Sequence, residues 1–492
     1  MGRFHRAIGL VILGAAVLGA LLLWLAVSRS DHAPAKAPHR GFVFGVWEVL
    51  YDTEAPSSRV LLAAAGLALL FAAGVALLER RITNRSRRSE DLRRLPLAPK
   101  IVMAETRGRY DGPVTITVLV PAHNEAACIA ETLASLQSQS HPPERIIVVA
   151  DNCTDATEEI AASLGVEVLP SVGNKHKKAG ALNQALNKIL PTQGENDLVM
   201  VMDADTTLDD GFLEAAVRRM TDDRALMAIG GLFYGEEGKG LLGQFQRNEY
   251  IRYSREIRRR RGRVFVLTGT ASLFRPRALR AVAEHRGRSL PGVPGDVYDT
   301  IALTEDNELT LALKSLGGLM ISPPECTVVT EVMPTWKALW VQRLRWQRGA
   351  LENLGAYGLT PQTFRYWAQQ LGIGYGVIAL SSYLLLLALM LVSLDTWVWF
   401  PFWLGMGGVF AVERLVTVWK GGTEARLLGA TLLPELVFAM FLNIVYLKGI
   451  IDISLARTAR WEHLTMTPGA ALTAAPVEES TSSEPELVGG RA

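Results

Sequence analysis

The sequence predicts an α/β domain, built on a mostly parallel sheet, inserted between two groups of membrane-spanning helices. Two observations predict it. Apolar runs long enough to cross the roughly 30 Å of bilayer hydrocarbon cluster toward the two ends of the chain. Between them lies a long, mostly polar stretch in which short β-branched runs alternate with helical spacings, the pattern of a parallel sheet covered on both faces. A chain of 492 residues, 49% of them hydrophobic, has room for both parts.

The first apolar run, Ala7 to Val27, is preceded by Arg3 and Arg6, and the second, Val60 to Leu78, is followed by an arginine-dense stretch from Glu79 to Arg94. By the positive-inside rule both flanks are cytoplasmic, and the segment between the runs is a short external loop. A cleaved signal peptide is the rival reading of the first run; its length and the span that follows favour an uncleaved anchor. Three further runs follow the polar stretch: Leu371 to Leu394, Trp397 to Val412, and Gly429 to Leu447. An odd number of spans puts the C-terminus outside, against the basic residues Lys448, Arg457, Arg460 and His463 behind the last run. Glu413, Arg414, Pro434 and Glu435 lie in or beside these runs, where they either line a polar path or make buried helix contacts. The tail from Pro468 to Ala492 is rich in Ala, Pro, Glu, Ser and Thr without apolar period and reads as disordered, with no second domain.

Within the central stretch, Val114 to Val120, Ile146 to Ala150, Glu167 to Leu169 and Leu198 to Met202 read as strands, and Val264 to Leu267 is strand-like. Ala126 to Gln139 carries helical spacing. Ligands bind at the carboxyl ends of such sheets, and acidic clusters sit there: Pro-Ala-His-Asn-Glu at 121–125, Asp151 to Asp155, and Asp203-Ala-Asp205. Each alone also reads as a turn or a helix cap; together they converge on one edge. A net charge of +2 implies no nucleic-acid partner, and three scattered cysteines imply neither a disulfide framework nor a zinc site.

Asp203 and Asp205 flank one residue, so in extended backbone their carboxylates leave on the same side. Two hard oxygen donors suit Mg²⁺ or Mn²⁺ completed by substrate phosphate and water; the bland reading is a helix cap. Thr304-Glu305-Asp306 opens a helical run and reads either as a charged helix start or as the seat of a general base at Asp306. Lys175, His176, Lys177 and Lys178 precede a helix expected near Ala179, as a diphosphate contact or a solvated loop. Gly269-Thr270 forms a turn open to close approach. Trp336 to Asn353 has the spacing of an amphipathic helix at the membrane interface, with Trp346 as an interfacial anchor or a stacking platform for a sugar.

The order Pro121-Ala-His-Asn-Glu125, Asp151, Asp203-Ala-Asp205, Thr304-Glu-Asp306 and Gln342-Arg-Leu-Arg-Trp346 resembles the inverting, membrane-integrated family 2 glycosyltransferases, the group of cellulose, hyaluronan, chitin and poly-N-acetylglucosamine synthases. The resemblance implies a GT-A fold, a UDP-sugar donor and a divalent cation. It implies donor contacts from Glu125, Asp151, Lys178, Asp203 and Asp205, with Asp205 and Asp203 at the metal. It also implies Asp306 as catalytic base, and acceptor contacts from Gly269, Thr270, Glu305, Gln342, Arg345 and Trp346. Many relatives carry two consecutive acids where this chain has Asp151-Asn152.

The chain accordingly divides into an N-terminal membrane hairpin (1–80), a basic linker (81–112), the catalytic domain (113–333), interface helices (334–370), C-terminal membrane helices (371–451) and a C-terminal segment (452–492). The expected activity is extension of a β-linked polysaccharide coupled to export. Addition of one or a few sugars to a lipid, and a degenerate non-enzymatic role, are the alternatives.

Overall fold

A computed structural model of the chain describes residues 2–28, 39–43, 46–51, 56–107, 113–260, 262–392 and 401–457. The expected disordered tail, the start of the Trp397 run, residues 108–112 of the linker, and Arg460 and His463 lie outside the described residues.

The centre of the molecule is a seven-stranded sheet. In spatial order its strands are Leu319–Ile321, Leu226–Gly230, Ala271–Phe274, Asp197–Met202, Thr115–Ala122, Arg145–Ala150 and Glu167–Pro170. Only Ala271–Phe274 runs antiparallel to its neighbours. Its strand-like predecessor, Val264 to Leu267, is not a strand: apart from an isolated bridge at Arg263, the segment is irregular. The physical reason lies in its polar partners, described below, which are side chains rather than a neighbouring strand.

Successive strand residues point to opposite faces, and the core divides accordingly. Leu119, Val149 and Val201 pack beneath helices Lys177–Ile189, Pro276–His285 and Glu305–Ser315. Val118, Val120, Val148, Met200 and Met202 face helices Ile129–Gln137 and Phe212–Asp222. This two-sided burial explains why the strands read as continuous apolar runs rather than alternating ones. A small second sheet joins Thr206–Leu208, Thr327–Thr330 and Leu232–Gly235, in a register that pairs Thr206 with Thr330.

Where they are described, the apolar runs are helical, except for a break at Thr431 and Leu432 in the last. Helices Ser58–Arg87, Phe364–Leu389 and Leu433–Ser454 are long and apolar enough to cross a membrane by length and composition. Helix Gly2–Ser28 packs along Ser58–Arg87 through a close approach of Gly19 to Gly66. A Cβ on either would stand 2.9 or 2.8 Å from the other's carbonyl oxygen, the small-residue crossing typical of membrane helices. Between these two helices the strands His39–Val43 and Trp47–Tyr51 form an antiparallel hairpin within the expected external loop. The last run is corrected: Gly429 ends a separate short helix, Gly422–Ala430, and the long helix begins at Leu433 with Pro434 in its first turn, where proline's missing N–H is harmless.

Helix Gly240–Arg259 of the central domain meets this C-terminal group. Arg252 pairs with Glu435 at 2.8 Å, and Asn248 donates to the same carboxylate at 3.0 Å. Glu435 thus makes a buried helix contact, the bland alternative to a polar path.

Candidate active site

The carboxyl ends of the parallel strands and the turn before Ala271 meet at one edge. Thr115–Ala122 runs into His123 to Glu125, Arg145–Ala150 into Asp151, and Asp197–Met202 into Asp203. Because Ala271 pairs with Met202, Gly269 and Thr270 lie beside Asp203, whose amide donates to the Thr270 carbonyl at 3.3 Å. Residues 203–205 form a turn rather than extended backbone, so the same-side argument for the two aspartates does not apply. Neither caps a helix, however. The next helix begins at Phe212 behind Gly211.

Helix Lys177–Ile189 starts two residues earlier than expected, which puts Lys177 and Lys178 in its first turn. Lys175, His176 and Lys177 are exposed while Lys178 turns inward, so the basic patch resolves into one site lysine. Its ammonium lies 2.5 Å from Asp203 and 3.0 Å from Glu305. Burial opposes that charge, yet the two carboxylates hold the lysine protonated well above its usual range. Glu305 is held below the ordinary carboxylate range against its own burial, by Lys178 and Arg345.

Asp306 accepts from the Gly269 amide at 3.2 Å and from the Asn307 amide at 2.7 Å. Burial, then the neighbouring Glu305 charge, push its pKa up to about 6. Gly269 also stands close to the ion pair: a Cβ there would lie 3.2 Å from both Asp203 and Lys178. Lys178, Gly269, Glu305 and Asp306 line one small cleft with Thr268 and Tyr298.

Asp151 is buried on the same edge. One of its oxygens accepts from Asn152, Ser171 and Asn174, the last at 2.7 Å. Asn174 in turn donates to the Lys177 carbonyl, which links Asp151 to the turn that carries Lys178. Gly180 makes room for this link, since a Cβ there would stand 2.1 Å from Asn174. Asp155, by contrast, is the turn residue that a lone aspartate suggests: just before helix Thr157–Ser163 it accepts from the amides of Thr157 and Ala126.

Asp205 stands on the far side of the turn, among other acids. Burial, then Asp203, raise its pKa to about 6. Glu125 is raised to about 7 by burial and by Asp205, Glu331 and Asp203, and Glu331 to about 7 by burial and Asp205. Glu331 is a residue that sequence reasoning missed. Continuing the Thr330–Thr206 register by one step puts it opposite Asp205. Its signal was present, because an acid following the β-branched Thr327–Thr330 repeats the pattern that marked the other strand ends.

Helix Trp336–Tyr357 carries the Gln342 to Trp346 motif. Within it Arg343 is buried, paired with Glu249 at 2.9 Å, and its guanidinium lies 4.2 Å from the centre of the Trp346 ring. One face of that indole is therefore covered. Arg345 acts electrostatically on Glu305 and Lys177, so its charge is felt at the cleft. The helix packs along Leu433–Ser454, with Trp336 and Trp340 edge-on to Phe441.

Residues 117–283 match the profile of glycosyl transferase family 2. Over that stretch the chain is similar to a family 2 glycosyltransferase domain. Glu125, Asp151, Lys178, Asp203, Asp205, Gly269 and Thr270 all fall inside that match; Glu305, Asp306 and the Gln342 to Trp346 motif follow it. The chain is 30% identical over 243 residues to the probable glycosyltransferase YdaM of Bacillus subtilis, across 48% of this chain and 54% of that protein. It is 27% identical over 245 residues to poly-beta-1,6-N-acetyl-D-glucosamine synthase of Staphylococcus aureus, across 49% and 55%. The chain thus spans about half the length of the curated relatives it matches. Among solved structures, the mannosyltransferase PcManGT of Pyrobaculum calidifontis, in complex with GDP-Man and Mn²⁺, aligns at a TM-score of 0.46 and 16% identity, over 79% of this chain and 96% of that one. Glucosyl-3-phosphoglycerate synthase of Mycobacterium tuberculosis aligns at 0.33 and 18%, over 53% and 83%.

The acids at this edge of the sheet fit a divalent cation in a particular way. Among the described residues no three His, Cys, Asp or Glu side chains stand in a chelating group, so these residues offer no complete cage. Asp203 is committed to Lys178, while burial and Asp203 disfavour the charge of Asp205 more than Thr206 and Lys178 favour it. One or two hard oxygens with open positions suit a cation that takes its remaining ligands from phosphate and water.

Proposed function

We propose that this chain is an inverting glycosyltransferase embedded in the membrane, which passes a sugar from a UDP-sugar to a growing β-linked glycan on the cytosolic side. The observation that carries this reading is the shared contact of Gly269 with Asp306 and Lys178 at one cleft. It brings a carboxylate with a near-neutral pKa beside a lysine suited to a diphosphate.

In this reading Asp151 holds the donor base, Lys178 meets the diphosphate, and Asp203 contacts the donor nucleotide and with Asp205 would hold the cation. A bound Mg²⁺ or Mn²⁺ neutralises charge that builds on the diphosphate as it leaves. Asp306 takes the proton from the acceptor hydroxyl as its oxygen bonds to the anomeric carbon. The bond from that carbon to the diphosphate breaks in line, and an α-linked donor gives a β-linkage. Gly269, Thr270, Glu305, Gln342, Arg345 and Trp346 border the acceptor. The similarity to a poly-beta-1,6-N-acetyl-D-glucosamine synthase supports a glycan acceptor and an N-acetylhexosamine donor, and the long apolar helices beside the cleft support delivery at a membrane.

The test is a donor panel with purified protein and Mn²⁺, scored by UDP release and product length. Long, glycosidase-sensitive chains are expected. Products of one or two sugars, extractable into organic solvent, would replace the polymer with a lipid acceptor. No UDP release from any donor would end the proposal.

A further inference from the structure

One face of the helix that bears Asp306 is laced to the irregular segment leading into Gly269. Asp306, Thr310 and Lys314 follow one another at single-turn spacing, so they share that face. The Gly269 amide donates to Asp306 at 3.2 Å, and the Leu267 amide donates to the Thr310 hydroxyl at 2.9 Å. Lys314 donates to the carbonyls of Val264 at 2.8 Å and Phe265 at 3.3 Å. Its third donor goes to the Tyr366 hydroxyl at 2.6 Å, and that hydroxyl donates onward to the Phe265 carbonyl. All three N–H groups of the ammonium are thereby matched by acceptors.

Tyr366 belongs to another part of the molecule. It lies in the first turn of the apolar helix Phe364–Val392 and is buried with Leu311 of the Asp306 helix and Leu354 of the Gln342 to Trp346 helix. Beside it Arg365 pairs with Glu79 of the N-terminal helix Ser58–Arg87, and the Arg365 guanidinium lies over the Phe265 ring. A single lysine therefore sits where the base-bearing helix, the segment entering the Gly269 turn and two long apolar helices converge.

We infer that Lys314 is a positioning residue: with Tyr366 it clamps the Val264–Gly269 segment onto the Asp306 helix and holds the Gly269 turn in register with the apolar helix at Phe364. The inference rests on Asp306 as the base. Burial opposes the charge of Lys314 and lowers its pKa to about 7. A side chain retained only for stability would be better apolar at this place. A clamp needs the donors.

The test compares Lys314→Met, which keeps length and removes every donor, with Tyr366→Phe, which keeps the ring in its apolar cluster and removes only the hydroxyl. A small misplacement of a reacting group lowers a rate by about 10²-fold. Lys314→Met is expected to lower kcat by roughly ten- to hundredfold on that basis, with KM for the UDP-sugar unchanged and the melting temperature at or above that of the parent. Tyr366→Phe is expected to lower kcat in the same direction, and the double variant to be no worse than Lys314→Met. Parental kcat in Tyr366→Phe overturns the inference, whether or not Lys314→Met folds. A Lys314→Met loss that appears as raised donor KM or a lowered melting temperature overturns it as well. Asp306→Asn is run alongside: full turnover there sinks the base reading and the inference with it, whereas an inactive Asp306→Asn with parental kcat in Lys314→Met sinks the clamp alone.

Discussion

Gly349 lies against Thr304 so closely that a Cβ on the glycine would stand 2.5 Å from the threonine hydroxyl. This contact seats the helix of the Gln342 to Trp346 motif on the turn that presents Asp306. One turn later Asn353 donates to the Thr304 carbonyl at 3.1 Å and to Asn307 at 3.1 Å. In an open helix, replacing glycine by alanine stabilises by roughly 0.5–1 kcal/mol. Gly349→Ala should do the reverse, destabilising by about 1–3 kcal/mol through overpacking and lowering UDP release. Gly355→Ala, on the same helix with nothing within 4 Å, should leave turnover intact and raise the melting temperature. Thermal melts and turnover of the two variants side by side decide it; identical behaviour would refute the contact's importance.

As the proposed base, Asp306 works only when ionised. Its pKa of about 6 therefore puts an acidic limb in the pH profile, with kcat falling as pH drops through that value and flat above it as far as this group is concerned. Asp306→Asn should lower kcat by about 10²–10⁴-fold, with the UDP affinity measured by calorimetry unchanged. Survival of a tenth of the activity or more would rule out the base role.

Asp205, Glu125 and Glu331 all have raised values, about 6, 7 and 7. A group whose folded pKa is raised contributes stability that is complete below its unfolded pKa and lost as pH rises through the folded one. The cation-free transferase should therefore lose stability from about pH 4 to 7 through this cluster. Mn²⁺ with UDP should raise the melting temperature more at pH 8 than at pH 5, and Asp205→Asn should remove most of that gain. Glu331→Gln should stabilise the cation-free protein at pH 8 and leave it unchanged at pH 4. Equal cation effects at both pH values would count against a carboxylate-held metal.

The pair of Arg252 with Glu435 joins the catalytic domain to the last apolar helix, with Glu435 almost wholly buried. Removing one member of a buried pair costs about 3–5 kcal/mol, whereas replacing both by apolar residues is often neutral. Glu435→Ala should lower the melting temperature in detergent sharply, and Arg252→Leu combined with Glu435→Leu should recover much of it. A single variant as stable as the parent would show that the pair does not hold the two parts together.

Much of the catalytic domain was legible because its signals are local. Strands buried on both faces must be continuous apolar runs, so Thr115–Ala122, Arg145–Ala150 and Asp197–Met202 announced themselves, and the acids behind them followed from chain order alone. The antiparallel strand Ala271–Phe274 was not legible, since its four residues acquire meaning only between Met202 and Gly230. Which lysine of 175–178 turns inward depended on where the helix begins, and that is fixed by Asn174 and Gly180. The sequence by itself determined the types of side chain available and the strand ends that carry them. Tertiary structure alone decided their distant partners: Glu331 opposite Asp205, and Glu305 at the ammonium of Lys178. The reason is one of range. Apolar periodicity acts over a few residues of chain, whereas charge and burial act across space between segments that the sequence keeps a hundred residues or more apart, as with Asp205 and Glu331.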